Sequence, residues 1–190
     1  MKAAEWKRAA GIVADVLPEY RPMRFGFVKT DDWIASGFYV QSSPFSSSAF
    51  YVEAFVMPRF IPSVGISLSY GFRVNGRWEE VGPELADAVA AAKPELAQRA
   101  TLTGLLAATE NWQGDLNQTE LRLCIAAIIR DDDLFNEVRR TLSEYEPEVE
   151  WEADVRDRCL GLVRIFDVGG YASVEQELAR HREEVDRLLA

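Results

Sequence analysis

The stretch Ile66–Val74, ISLSYGFRV, alternates strictly. Ile66, Leu68, Tyr70, Phe72 and Val74 fall on one side of an extended chain, and Ser67, Ser69, Gly71 and Arg73 on the other. Period-two alternation of this length marks a β-strand with one face in a core. Asn75-Gly76 follows at once. This dipeptide suits a type I′ turn, whose two central residues both take positive φ. The pattern predicts a hairpin that returns through Arg77–Val81.

Working toward the N-terminus, three more segments read as strands. They are Phe50–Met57 (FYVEAFVM), Trp33–Gln41 (WIASGFYVQ) and Arg24–Lys29 (RFGFVK), all rich in aromatic and β-branched residues. The connection SSPFSSS and the turn at Asp31-Asp32 separate them. The result is an antiparallel meander of four to five strands. Ahead of it, Trp6, Ala9, Val13, Val16 and Leu17 recur at helical spacing over Ala3–Leu17, and Pro18 and Pro22 end that helix.

Toward the C-terminus, everything after Gly82-Pro83 reads as helix. Pro83 opens one helix to Ala92, and Pro94 opens another toward Thr109. Thr119–Arg130 (TELRLCIAAIIR) is apolar nearly all round, as a central buried helix should be. Asp131-Asp132-Asp133 caps a helix to Tyr145, and Pro147 opens one toward Phe166 that Gly169-Gly170 stops. Ser173 with Gln176 fits a capping box for the last helix. Helix, antiparallel sheet and then a C-terminal helical bundle make the fold class α+β. The expected organisation is a sheet region at 1–82 and a helical region at 83–190, packed on the sheet as one compact unit.

An N-terminal helix, an aromatic strand ending in Gln41, then FYVEAFVMP and LSYGFRV resemble the uncharacterised bacterial family named domain of unknown function 4304. The likeness covers roughly the first 80 residues. It implies a bacterial protein with this fold in that region. The family has no established activity, so the resemblance implies no catalytic residues.

The net charge of -10 is unevenly spread: residues 1–76 balance at +2, with 8 Lys+Arg against 6 Asp+Glu, and residues 77–190 at -12, with 13 against 25. Such a surface repels phosphate backbones, which argues against nucleic acid and admits a basic protein partner. No apolar run nears the roughly 18 residues that span a bilayer. Lys2, Lys7 and Arg8 suggest a targeting segment, but Glu5 and Asp15 interrupt it, so a folded helix and a cytoplasmic protein are expected. Cys124 and Cys159 sit in apolar helical patterns, which suits reduced core residues.

His181 is the single histidine and lies among charges in the last helix, where a solvated surface position is expected. No glycine pattern matches GxGxxG or GxxxxGK[ST], and no metal or cofactor motif stands out. The run Glu144, Glu146, Glu148, Glu150 and Glu152 reads as a solvated helix junction, or more sharply as a docking strip for a basic protein.

Glu53 is the most informative residue, because a carboxylate is unusual in mid-strand. Alternation places it with Tyr51, Phe55 and Met57 on one face. Neighbouring strands add Trp33, Tyr39 and Gln41, together with Ser67, Ser69 and Arg73 as a partner for Glu53. Aromatic surface around a few polar groups is what recognition of a ligand or protein requires. The plainer interpretation is a polar outer face, or one covered by helices with Glu53 paired inside. The sequence thus points to a non-enzymatic protein-binding module, such as an acidic inhibitor or immunity-type protein. The alternative is a small-molecule-binding protein or enzyme with a cleft around Glu53, and a homodimer through apolar surfaces is a third arrangement.

Overall fold

A computed structural model describes residues 11–24, 26–46, 49–63, 70–79, 82–110 and 115–189. The start of the expected first helix, Ser67 and Ser69, and the end of the expected return strand lie outside these residues. The chain divides into two compact units. The first is Met1–Met57, Ser63–Gly104 and Leu188–Ala190, and the second is Pro58–Pro62 and Leu105–Arg187. The helix after Pro83 therefore belongs with the sheet.

In the first unit, helical residues 11–14 (α1) precede five antiparallel strands in the order β1 (Arg21–Met23), β2 (Gly26–Thr30), β3 (Ile34–Ser42), β4 (Phe50–Pro58) and β5 (Phe72–Trp78). The chain is α+β, and the sheet is the expected meander. One side of it carries Phe27, Phe38, Phe50, Val52, Ala54 and Val74, all buried. Tyr20 lies against Phe38 at 5.9 Å between ring centroids. Helix α2 (Pro83–Arg99) buries Leu85, Val89 and Leu96. It reaches the segment after α1 through Lys93, whose Nζ donates to the Val16 carbonyl at 3.1 Å and pairs with Glu19 at 2.7 Å. At its other end the Arg99 guanidinium lies 4.8 Å from the Phe72 ring centroid.

Two expectations in this unit need correction. Asn75 (φ 48) and Gly76 (φ 72) do take the positive φ of a type I′ turn, but they do not reverse the chain. Strand β5 pairs with β4 on both sides of them. Ala54 faces Phe72 and Glu53 faces Arg73, then Tyr51 faces Arg77 and Phe50 faces Trp78. One residue of β4, Val52, is thus spanned by three of β5, and the left-handed pair forms a bulge. The Trp78 indole closes it by donating to the Val74 carbonyl at 3.1 Å. Pro94 likewise starts no helix; it sits inside α2, which runs unbroken to Arg99. The carbonyl that Pro94 leaves without a donor belongs to Ala90, which is exposed, so water can satisfy it.

The second unit contains α3 (Leu102–Thr109) from Leu105 on, α4 (Leu116–Ile129), α5 (Asp132–Glu144) and most of α6 (Glu150–Leu189). As its sequence predicts, α4 is buried nearly all round. Asp131 caps α5, accepting from the Leu134 amide at 2.9 Å. The apolar face of α5 buries Phe135, Val138 and Leu142, and Phe135 packs on Phe166 at 4.4 Å between centroids. Gly170 (φ 64) breaks α6 into two helices, as the Gly-Gly pair suggests. Ser173 is not seen in the expected capping box, since its hydroxyl donates back to the Gly169 carbonyl at 3.3 Å.

Candidate functional site

Glu53 is buried, and its partner is the one the strand register supplies. Arg73 stands opposite it, and Nε of Arg73 donates to Oε1 of Glu53 at 2.8 Å. The guanidinium also lies 4.1 Å from the Tyr51 ring centroid. A carboxylate on one side and an aromatic plate beneath fix its plane, while half of the Arg73 side chain stays in solvent. Nη1 and Nη2 have no hydrogen-bond partner among the described residues.

The β3–β4 hairpin closes where the Ser43 amide donates to the Ala49 carbonyl at 3.0 Å. Deeper in the sheet, Gly37 lies against the Phe55 ring. Both points give one register, in which Tyr39 stands opposite Glu53 and Gln41 opposite Tyr51. Tyr39, Gln41, Tyr51, Glu53 and Arg73 therefore do gather on one face. The other two expected members are placed differently. Trp33 precedes β3, and Phe55 is 0% exposed. Phe55 belongs to the core of the sheet and offers nothing to a partner. With Oε1 of Glu53 engaged by Arg73, the carboxylate acts as an orienting group for that guanidinium.

The acidic run forms a second surface, within the helical unit. Glu144, Glu146, Glu148 and Glu150 are exposed. Glu152 closes the start of α6 by accepting from the Glu148 amide at 2.8 Å. Attraction to the helix dipole accounts for acidic residues in this first turn. It does not account for the apolar side chains between them, since Trp151 is 50% exposed and Val149 48%. Val149 and Trp151 thus leave apolar surface open among these charges.

The helical unit also holds a buried ion pair. Glu120, inside α4, receives Nε and Nη2 of Arg158 in a two-pronged contact, each at 3.0 Å. Cys124 and Cys159 are both buried and unbridged. Burial first, and then the nearby Glu120 charge, push the Cys159 thiol up to about 12 and Cys124 upward as well. Neither is a ready nucleophile. Both thiols are expected to ignore a disulfide reagent at pH 8 until denaturant is added, when two per chain should react; rapid labelling of the native protein would contradict their placement.

His181 differs from its expected solvated position. Its side chain is 19% exposed. Nδ1 lies 3.1 Å from the Phe60 carbonyl oxygen, which accepts from an Nδ1–H. Phe60 itself is buried, and Arg59 beside it reaches Asp186, Nε donating to Oδ1 at 2.9 Å. The segment Pro58–Pro62 is in this way fastened to the C-terminal half of α6. Sequence alone does not pair residues 121 apart. It likewise leaves Arg77 out of the sheet face, because a hairpin at Asn75-Gly76 would carry it away. Among the described residues, no helix is long and apolar enough to cross a membrane, and no three His, Cys, Asp or Glu side chains form a group that could hold a metal ion.

No family model matches this chain, and no curated protein or solved structure matches it.

Proposed function

We propose that this chain is a non-enzymatic protein-binding module, an acidic inhibitor or immunity-type protein, that recognises a basic protein through the segment Glu144–Glu152. The observation that carries this reading is the half-exposed Trp151, standing with Val149 in a frame of carboxylates. Tryptophan supplies a large contact area at small entropic cost and dominates many interfaces. Its face also attracts a lysine or arginine side chain. The -10 net charge, concentrated in residues 77–190, steers a basic partner toward the molecule and speeds association. The partner thus supplies cations for the glutamates and an apolar or cationic side chain for Trp151.

Capture of the tagged protein from lysate of its native host, at low and at moderate salt, tests this reading. The expected result is one stoichiometric basic protein whose recovery falls as salt rises. Trp151→Ala should weaken its affinity by about tenfold or more. Recovery of acidic or neutral proteins alone, or of nothing under either condition, would overturn the reading.

A further inference from the structure

We infer that Arg73 and Arg77, brought side by side by the bulge at Asn75-Gly76, form a receptor for a phosphate group on the sheet face. In a regular strand these residues stand four positions, or about 13 Å, apart. Here Arg73 faces Glu53 and Arg77 faces Tyr51, two residues apart on β4, so their backbones are separated by about 7 Å. Directly opposed residues share a face, as do residues two apart on a strand, so both arginines project to the side of Tyr51 and Glu53. Each side chain is 50% exposed. Two planar guanidiniums at this spacing can grip a tetrahedral anion from two sides, each through paired N–H donors.

The two arginines have different tasks. Arg73 is pre-organised, with Nε committed to Glu53 and its plane set by Tyr51, which leaves Nη1 and Nη2 of a half-exposed side chain for a ligand without a rotamer search. Arg77 is the adjustable arm. It pairs with Glu79, two residues on, and both side chains are exposed. Exposed pairs of this kind are weak, so an incoming dianion can displace Glu79. The bulge itself supplies the motive for a phosphate site. Asn75-Gly76 costs β5 its regular pairing, and the gain is the placement of the second guanidinium beside the first. This site lies on the sheet and makes no use of the acidic segment Glu144–Glu152.

The test is a titration of the folded protein with inorganic phosphate, followed by the NMR signals of the arginine Nε–H groups and the amides of residues 72–78. Sodium chloride at matched ionic strength serves as the control. Saturable shifts centred on Arg73 and Arg77, absent with chloride, are expected. Arg77→Gln, on an exposed side chain that should leave the fold intact by circular dichroism, should weaken binding by on the order of tenfold. Arg77→Lys should recover only part of it, because the charge returns without the fork. Glu79→Gln, which removes the competing carboxylate, should tighten binding. O-phosphoserine run in parallel distinguishes the source: tighter binding than phosphate points to a phosphomonoester, and equal or weaker binding to the free anion. Shifts that chloride reproduces, or that persist unchanged in Arg77→Gln, would overturn the inference.

Discussion

Replacing Arg158 with alanine is expected to destabilise the helical unit by about 2–4 kcal/mol. The change strands the Glu120 carboxylate, which is 4% exposed, without its two-pronged partner. Removing one member of a fully buried pair costs more, but Arg158 is itself 39% exposed, so water can partly replace it. The same reasoning sets the outcome of the double replacement. Glu120→Leu with Arg158→Leu removes both charges from a site lined by Cys124 and Cys159, and should recover most of the loss. Urea denaturation of the two variants measures this directly. A loss below about 0.5 kcal/mol in Arg158→Ala would mean that Glu120 is solvated and that the pair is a surface contact.

Gly37→Ala is expected to be at least as severe, at about 3 kcal/mol or more, and to act on the sheet. A Cβ at this position would lie 1.9 Å from the Phe27 carbonyl oxygen and 2.9 Å from Cε1 of Phe55. The ring could turn away, but the carbonyl belongs to the backbone of β2, held in register with Val28 opposite Gly37. Relief therefore requires parting of β2 from β3. Thermal unfolding followed by circular dichroism should show the midpoint fall by many degrees. An unchanged midpoint would show that the two strands are farther apart at Gly37 than described.

The residues explain why much of the fold is legible in the sequence and some of it is not. FYVEAFVM and WIASGFYVQ declare themselves because runs of aromatic and β-branched side chains favour an extended chain packed in a sheet. Burial of α4 follows from TELRLCIAAIIR for the same kind of reason. Asn75-Gly76 misleads because the dipeptide specifies local dihedrals, which the structure does show, and says nothing of whether β4 continues alongside. Pro94 misleads because the cost of a helical proline depends on whether the carbonyl it orphans meets water. On the candidate site, the pairing of Glu53 with Arg73 is legible from alternation, whereas the burial of Phe55 is not, since alternation assigns a face without saying what covers it. His181 is hidden for a different reason. Its acceptor, the Phe60 carbonyl, is a backbone group that no side-chain pattern advertises. In the acidic run the charges are visible in sequence, while the exposure of Val149 and Trp151 belongs to the geometry of the α5–α6 junction.

The proposal that a basic protein docks on that junction is tested most directly by charge reversal. Wild-type protein and the triple variant Glu146→Lys, Glu148→Lys, Glu150→Lys would be used side by side to capture partners from the same lysate. All three side chains are exposed, so the variant should keep its circular dichroism spectrum. The account predicts that the basic partner recovered by the wild type disappears from the variant. Its recovery in equal amount by a folded triple variant would contradict the account and remove the acidic segment as the binding surface.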